Sequence, residues 1–517
     1  MFSRLTTGRI MASLTLGLLL TALSPAHAAD IYVSPTGDPK AQGTRSNPID
    51  LATALRSSAS PAKPGDTIIL LEGRYDGPMN GIKRVPFELT VSGKEGAPII
   101  IRPEEGKFAH VNGTVAFTAD YVHLVGLDIG DLNWDLMREK HDASTAMNVT
   151  KAKESKAINC NIFGGSMGTG IWTPAINFEL YGCIIHDFGG IHDKGKGRGS
   201  GHAVYTQNKD GTKHYRHNVF YRGAGWNLDI YTQQGEVRGF DVIENISYIA
   251  GYYKPGQVSF SYGVMGWKPA ARIRFIGNVA YQPRDGQPWR SNMRILGHYN
   301  PELEHEDALV KDNYIMGAFR AFSAGRIKDL TLTGNTFWST GVLMEIASAP
   351  AGSGISNNEA GKPDLKHYKL TNNTYYANGN DRPFRYGAGV EKGPDDELIS
   401  FSEWQKLGVD TDSKLVIGKN NKPAGTKVFV FPNTYQPGRA NVGVFNWDGK
   451  DSVEVDLSTA LKQGQKYAIY NLLDINQTIA QANPVVTGTF NGKAITLPLR
   501  KESYSPDFDA FLVLPVQ

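Results

Sequence analysis

The sequence has few cysteines and no marked charge imbalance. Two of its 517 residues are cysteines, and 54 lysine and arginine residues nearly balance 51 aspartate and glutamate residues. Glycine and proline, at 57 and 27 residues, stay below the level that marks low-complexity or collagen-like chains. A small disulfide-dense fold, a disordered chain and a fibrous repeat are therefore excluded.

Long apolar runs are missing once the first residues are set aside. Arg4 and Arg9 precede an apolar run over 10–23 and the small residues Ala26 and Ala28 around His27, the order expected of a secretory signal peptide over residues 1–28. Beyond it no stretch reaches the roughly 18 apolar residues of a membrane span. We expect an exported protein, periplasmic or secreted, with no membrane span.

The mature chain is nearly neutral, because the predicted leader carries two arginines and no acidic residue. Proteins that bind nucleic acid present a net basic face. We therefore expect no nucleic-acid partner.

A short phrase recurs from about residue 100 to 390: an apolar residue, then asparagine, then one or two apolar or aromatic residues. It contains Asn161, Asn218, Asn245, Asn278, Asn313, Asn335 and Asn373, with Cys183 in the slot after Asn161. The spacing is typical of a solenoid with variable loops. The repeats are rich in β-branched and aromatic residues and lack a helical period, so the unit is built from strands.

These repeats predict a parallel β-helix, in which each coil buries its apolar face against neighbours about 4.8 Å away. Stacked asparagine amides can hydrogen-bond from coil to coil at a bend. In this register Cys183 stacks on Asn161, while Cys160 faces the other way, so alternation argues against a disulfide between the two cysteines. We expect two unpaired, half-buried thiols.

The start of the mature chain carries motifs of a known family. They are Ile31-Tyr32-Val33-Ser34, Gly37-Asp38, Gly43-Thr44, Asn47-Pro48, a short helix around 51–56, Pro64-Gly65-Asp66-Thr67-Ile68 and Gly73-Arg74-Tyr75. With the asparagine repeat, residues 30–410 resemble secreted pectate-lyase-like right-handed β-helix proteins, nearest to the alginate and glucuronan lyases. The resemblance implies an all-β chain with a right-handed parallel β-helix over residues 29–417. It does not choose among the lyases, hydrolases, epimerases and tailspikes that share this fold.

The C-terminal residues have a different pattern. The stretch 402–406 resembles the segment that closes such helices, and a polar linker follows over 418–425. Short apolar stretches separated by turn residues then predict a small β-sandwich over residues 426–517. We expect it to pack against the end of the β-helix and cover its edge, with sugar binding as the alternative.

A second set of aligned strands precedes the asparagine phrases, and it predicts a polar outer face. Alternation sends these side chains outward: Tyr205, Gln207, Asp229, Tyr231, Gln233, Arg294 and Arg320. Aromatic rings stack on sugar faces, amides and carboxylates bind hydroxyls, and arginine binds uronate carboxylates. We expect a cleft for an acidic polysaccharide, and the alternative is an ordinary solvated face. The expected substrate-binding residues are Gln207, Asp229, Gln233, Arg294 and Arg320.

A lyase that cleaves a uronate chain needs a group that neutralises the carboxylate, a base for the C5 proton and an acid for the leaving oxygen. We expect Tyr205 or Tyr231 to act with Lys213 or Lys268. His202 competes for the same role, and Arg294 is the expected carboxylate partner.

A glycine-rich segment, 189–201, lies beside this column. Its Lys194, Lys196 and Arg198 form a basic lip that would attract an acidic chain and lower the pKa of a lysine base. The alternative is a solvated loop.

Hydrolysis would instead need two carboxyl groups. Asp229 is the one acid clearly in the column, and the candidates for a second are Asp187, Asp193, Glu236 and Glu345. The sequence therefore favours β-elimination, with a glycoside hydrolase acting on a bacterial exopolysaccharide as the second reading. A non-catalytic polysaccharide-binding or export protein and a C5-epimerase are the remaining ones, although the Asp-Pro-His-Asp signature of alginate epimerases is absent.

Metal-binding motifs are not recognisable. The acidic segment 302–307 around His305 has neither regular spacing nor a turn glycine, so calcium has no motif to support it there. The pairs His186-Asp187 and His192-Asp193 match no zinc motif. We expect no cofactor.

Overall fold

The computed structural model describes residues 28–134, 145–165, 167–189, 201–232, 235–252, 259–283, 291–297, 303–348, 361–388 and 397–516. Residues 1–27 of the predicted leader (1–28) lie outside these ranges, and so do residues 190–200 with Lys194, Lys196 and Arg198 of the basic lip. Within them no helix is long and apolar enough to cross a membrane.

The chain winds through three sheets in turn, each with twelve strands among the described residues. Sheet 1 contains Asp30–Val33, Thr67–Leu70, Ile99–Pro103, Val122–Val125, Lys156–Ile158, Glu179–Tyr181, Lys213–Arg216, Val237–Ile243, Ala270–Ile276, His305–Lys311, Ile327–Thr333 and Tyr368–Thr371. Sheet 2 contains Gly73–Asp76, Ala109–Asn112, Asp128–Ile129, Asn161–Phe163, Ile184–His186, Val219–Tyr221, Ile246–Tyr248, Val279–Gln282, Tyr314–Gly317, Thr336–Trp338, Thr374–Tyr376 and Lys414–Val416. Sheet 3 contains Phe87–Leu89, Val115–Phe117, Thr145–Val149, Met167–Ile171, His202–Thr206, Trp226–Thr232, Tyr262–Gly266, Ser291–Gly297, Arg320–Ala324, Val342–Ala347, Phe384–Gly387 and the antiparallel Leu398–Ile399.

Each coil passes through sheets 1, 2 and 3 in that order, and apolar side chains from all three meet in one core. Val204 of sheet 3, Tyr215 of sheet 1 and Phe220 of sheet 2 are all fully buried in it. Every coil thus buries one face against the next, as a strand solenoid must. The predicted parallel β-helix is confirmed.

An asparagine ladder holds the bend between sheets 1 and 2. Its members are Asn218, Asn245, Asn278, Asn313, Asn335 and Asn373. The amide nitrogen Nδ2 of each member donates to Oδ1 of the next at 2.9–3.0 Å. Nδ2 also donates to a backbone carbonyl, as from Asn218 to Leu180 at 2.8 Å. These bonds satisfy amides that would otherwise be costly to bury.

The two cysteines occupy the ladder positions before Asn218. The backbone N–H of Cys183 donates to Asn218 Oδ1 at 2.9 Å, and Asn161 pairs in register with Ile184. The predicted register was therefore wrong by one residue, and such a shift reverses which face a side chain occupies. Cys160 and Cys183 both point into the core, where they are free and fully buried instead of half-buried.

Short elements complete the β-helix. The helix Leu51–Leu55 begins after Asp50, whose side chain accepts from the Thr53 N–H. The helix Phe401–Gln405 begins with a capping box between Ser400 and Glu403. Two small strand pairs flank the coils: Met79–Asn80 with Lys83–Arg84, and Ala152–Lys153 with Ala175–Ile176.

The strands after residue 425 form separate antiparallel sheets. A five-stranded sheet runs in the order Thr426–Pro432, Ala440–Asn446, Phe508–Pro515, Lys466–Asn471 and Val486–Thr489, and a two-stranded sheet pairs Ser452–Val455 with Ile495–Pro498. Two 3-10 turns span Leu472–Asp474 and Ile479–Gln481. Val442, Leu457 and Leu497 lie in the apolar core of this C-terminal part.

The C-terminal part packs against the outer face of sheet 2, whereas the sequence predicted packing on the helix end. Tyr248 and Tyr281, from successive sheet 2 strands, contact Phe508 with ring centres 5.2 and 5.6 Å apart. Sheet 2 presents Tyr, Ile, Val and Trp side chains outward along these coils, and they need apolar cover. The C-terminal part therefore shields a side of the β-helix.

Asp128, on sheet 2, lies buried at this junction. Its Oδ1 accepts from Asn161 Nδ2 at 2.7 Å and from the Ile479 N–H at 3.3 Å. Burial raises the pKa of Asp128 to about 7, although both hydrogen bonds oppose the rise. An aspartate in the unfolded chain has a pKa of about 3.9. Folding therefore favours the protonated form.

The contribution of Asp128 to stability should fall as pH rises from about 4 to about 7. The folded state binds more protons than the unfolded state between pH ~4 and ~7, so Asp128 lowers the free energy of unfolding there and adds no further slope above it. We expect Asp128→Asn to remove that slope. The difference in the free energy of unfolding between wild type and variant should then change by at most about 4 kcal/mol across this pH range. Urea unfolding across this range measures it, with Asp381→Asn, at an exposed site, as the control. Parallel pH profiles for wild type and Asp128→Asn would contradict it.

Candidate functional site

The outer face of sheet 3 brings together most of the predicted polar column. Tyr205 pairs in register with Asp229, Asp229 with Gly263, and Gly263 with Arg294. These four residues therefore occupy one position on consecutive coils. Their strand neighbours Val204, Ile230, Val264 and Ile295 lie in the core, so these four residues face outward.

His202 and Tyr205 lie on the same strand and meet Asp229 of the next coil. His202 Nδ1 is 3.2 Å from Asp229 Oδ2, and the His202 and Tyr205 ring centres are 5.1 Å apart, edge to face. Asp229 is buried and His202 nearly so. A histidine with one ring nitrogen against a buried carboxylate is oriented, and its other nitrogen is left for proton transfer.

Tyr205 is half-buried, and its phenol is held protonated. Burial raises its pKa to about 12, with a further contribution from the charge of Asp229. Gln207 Nε2 donates to the Tyr205 hydroxyl at 3.5 Å. A phenol in this environment is a proton donor at neutral pH rather than a base.

Aromatic rings flank Tyr205 along the face. Its ring centre lies 5.5 Å from Trp172 and 6.2 Å from Tyr231, and all three rings are half-buried. Trp172 Nε1 donates to Asn148 Oδ1 at 2.6 Å, which fixes the amide so that Asn148 Nδ2 remains a donor on this surface. Half-exposed rings beside amides are suited to pyranose faces and hydroxyls.

A second row of rings leads from His202 to Arg294. Trp226 lies 4.7 Å from His202 and stacks on Phe260 at 5.6 Å, measured between ring centres. The Arg294 guanidinium lies 4.1 Å above the centre of the Phe260 ring, and Arg294 is buried. A Cβ atom at Gly263 would lie 2.2 Å from the Phe260 ring, so only glycine fits beneath it. Arg294 is thus held rigidly on the outer face.

The sequence reasoning missed Asn148, Trp172, Trp226 and Phe260 as parts of this surface. Asn148 and Trp172 belong to coils that precede the first strand of the sequence alignment, so the predicted polar column did not include them. Trp226 and Phe260 stand at the strand starts, where the coil bends. Alternation within the strand Thr145–Val149 would have found Asn148, and Trp172 directly follows the strand Met167–Ile171.

Lys213 faces the interior of the β-helix. It is fully buried, and its Nζ donates to the carbonyl oxygens of Ile171, Trp172 and Gln207 at 3.2, 2.7 and 2.5 Å. Burial lowers its pKa well below the usual lysine value, while three acceptors match the three N–H groups of an ammonium. Lys213 therefore anchors the turns that carry Trp172 and Gln207, and its geometry gives no support to the predicted catalytic role.

We expect Lys213→Met to destabilise the protein by about 1–3 kcal/mol, because three buried carbonyls lose their donor. The urea midpoint measures this loss. Lys369→Met, on the exposed face of sheet 1, is the matched control. An unchanged midpoint for Lys213→Met would show that the three bonds carry no net stability.

Two other predicted residues lie apart from Tyr205. Lys268 lies in the exposed turn after the strand Tyr262–Gly266, two coils further along. Arg320 is buried with its Nε 3.1 Å from Glu345 Oε2, and Glu345 also accepts from Arg385 Nη1 at 3.2 Å. Arg320 is thus committed to an ion-pair network. Gln233 lies outside the described residues.

The acidic residues considered as hydrolytic partners are dispersed. Asp187 is bound by Arg222 and His186 at the junction with the C-terminal part. Glu345 lies four coils from Asp229 on sheet 3. Glu236 lies in the turn after the strand Trp226–Thr232, and Asp193 is outside the described residues.

His305, the centre of the acidic segment, has a structural role. Its Nε2 donates to the Leu296 carbonyl at 2.6 Å, and its Nδ1 accepts from the Ala270 N–H at 2.9 Å. Glu306 pairs instead with Arg238, and Asp307 accepts from the Arg272 N–H. Among the residues that the structure describes, no group of three or more His, Cys, Asp or Glu side chains could hold a metal ion.

Comparisons with known proteins give one partial sequence match and several similar folds. No protein-family model matches the chain. Over 96 residues it is 35% identical to pectate lyase PEL9 of Emericella nidulans, and this segment spans 18% of the chain and about a fifth, 21%, of that protein.

Among solved structures, pectate lyase Pel9A is 13% identical, with a TM-score of 0.36 over 77% of this chain and 78% of that one. A mannuronic acid specific polysaccharide family 6 lyase from human gut microbiota is 12% identical, with a TM-score of 0.36 over 76% and 92%. Both of these proteins are polysaccharide lyases.

Proposed function

We propose that the protein is a polysaccharide lyase that cleaves a uronate-containing polysaccharide by β-elimination. The observation that carries the proposal is the meeting of His202, Asp229 and Tyr205 on the outer face of sheet 3. An oriented imidazole and a protonated phenol are the base and acid that this reaction needs.

In this proposal His202 takes the C5 proton of a uronate, and Tyr205 protonates the leaving oxygen on C4. Asp229 Oδ2 lies 3.2 Å from His202 Nδ1, and its negative charge would favour a proton on Nδ1, which leaves Nε2 to accept. The C4–O bond breaks as a double bond forms between C4 and C5, and no water is consumed. The proton on His202 then passes to solvent and Tyr205 regains one.

The surface around this pair supports an acidic chain as the substrate. Arg294, fixed over Phe260 two coils from Asp229, is the cation proposed to pair with the carboxylate of a uronate unit further along the bound chain. The rings of Trp172 and Tyr231 offer faces for sugar units, and Asn148 Nδ2 offers a donor to their hydroxyls or carboxylates.

Hydrolysis is less well supported by the spacing of carboxylates. Glycosidases place two carboxyl groups about 5–10 Å apart. Asp229 and Glu345 are four coils apart, which is about 19 Å at ~4.8 Å per coil. Glu345 is also fully buried between Arg320 and Arg385.

The proposal is tested by incubating the mature protein with alginate, glucuronan, pectate and bacterial exopolysaccharides. We expect ultraviolet absorbance of an unsaturated uronate to rise together with reducing ends on at least one polymer. Reducing ends without that absorbance would replace the lyase by a hydrolase. No change with any uronate polymer would contradict the proposal.

A further inference from the structure

The turn after the strand Tyr262–Gly266 exposes a tryptophan. Trp267 is 49% exposed, whereas the other described tryptophans are buried or half-buried. They are Trp134, Trp172, Trp226, Trp338, Trp404 and Trp447. One exposed apolar side chain is ordinary on a protein surface. Trp267 is of functional interest because of its position relative to the proposed site.

Trp267 directly follows a strand of the sheet that carries the proposed site. Met265 pairs in register with Tyr231, and the Trp267 N–H donates to the Thr232 carbonyl at 3.2 Å, so the ladder continues to this residue. A Cβ atom at Gly266 would contact the core residue Val237, so Gly266 faces inward. Trp267 lies in the bend directly after the strand, two residues past Met265, and its side chain is exposed there.

Trp267 also lies at a useful distance from Tyr205. The strands His202–Thr206, Trp226–Thr232 and Tyr262–Gly266 are consecutive in sheet 3. At ~4.8 Å per coil, the turn is about 10 Å from Tyr205 along the axis. Trp267 is also four residues past Gly263, which shares the position of Tyr205, and this adds about 13 Å along the strand. The two residues are therefore roughly 16 Å apart, about the length of three sugar units. Trp172, Tyr231 and Trp267 thus border the same edge of sheet 3 on both sides of Tyr205.

Lys268 follows directly and is exposed. An indole can stack on a pyranose face, and an ammonium beside it can pair with a carboxylate. We propose that Trp267 and Lys268 form a distal binding subsite for a uronate unit of a chain bound across Tyr205. The substrate class rests on the proposed function, and Lys268 here has a binding role in place of the catalytic role predicted from the sequence.

This subsite would act on chains long enough to reach it. Short uronate oligomers centred on Tyr205 would not contact Trp267, whereas longer ones would gain the stacking and the charge pair. The contribution of Lys268 would weaken at high salt, because exposed charges are screened within about 10 Å at 0.1 M ionic strength.

The test measures equilibrium binding of a length series of uronate oligosaccharides by calorimetry, in a Tyr205→Phe background so that the ligand stays intact. We expect Trp267→Ala to weaken binding of long oligomers about tenfold and to leave short ones unchanged. Lys268→Met should have the same length dependence and a smaller effect at high salt. Phe108→Ala and Lys369→Met, at exposed sites elsewhere, are the controls.

The outcomes separate the two proposals. Equal weakening at every length, or no weakening at any length, would overturn the subsite while the lyase proposal stands. If the parent protein binds no uronate oligomer and turns over no uronate polymer, both proposals are wrong.

Discussion

Replacing Tyr205 by phenylalanine should lower kcat on a uronate polymer by about 10²- to 10⁴-fold and leave KM within a few-fold. The change removes the phenolic hydroxyl and keeps the ring that packs against Trp172 and Tyr231. The proton donor for the leaving oxygen would be lost while the sugar-binding surface stays intact.

The measurement is the rate of unsaturated uronate formation across a substrate series. Tyr376→Phe, a half-buried tyrosine of sheet 2, is the matched control and should keep full activity. An unchanged kcat for Tyr205→Phe would assign the acid to another group. A rise in KM alone would reduce Tyr205 to a binding residue.

Arg222→Leu should cause the largest loss of stability, about 3–5 kcal/mol, because it leaves a buried carboxylate without its cation. The Arg222 Nε donates to Asp187 Oδ1 at 2.6 Å, and its two Nη groups donate to the carbonyls of Leu473 and Ile475 at 3.1 and 2.8 Å. One guanidinium therefore joins the β-helix to the C-terminal part while neutralising Asp187.

A double-mutant cycle with Asp187→Leu tests this account. The double variant Asp187→Leu/Arg222→Leu should recover part of the loss, since no uncompensated charge remains. Unfolding in urea followed by tryptophan fluorescence measures each variant. Strict additivity of the two single changes would show that the pair is not coupled.

The fold was predictable because the asparagine repeat reflects the same hydrogen-bonding requirement at one bend in six successive coils. Asn218 to Asn373 each occupy the same bend, so their spacing alone reveals the solenoid. The register of the cysteines was not predictable in the same way. A hydrophobic stretch shifted by one residue still has the pattern of a strand, so the pattern does not fix the register. The pairing of Asn161 with Ile184 in the structure fixes it.

The site was predictable as far as strand alternation extends. Tyr205, Asp229 and Arg294 face outward together because period-two alternation leaves no other choice within a strand. Lys213 stands at the start of a strand and turns inward to three backbone carbonyls on other coils. Backbone acceptors leave no mark in a sequence, so neither this role nor the ion pair that occupies Arg320 could be foreseen.

The most direct test of the central claim is the mass of the products formed in water enriched in the heavy oxygen isotope. β-Elimination breaks the C4–O bond without water, so the new non-reducing ends should be unsaturated and lighter by one water, and cleavage should add no heavy oxygen. Products that carry one heavy oxygen per cleavage and no unsaturation would contradict the lyase mechanism assigned to His202 and Tyr205.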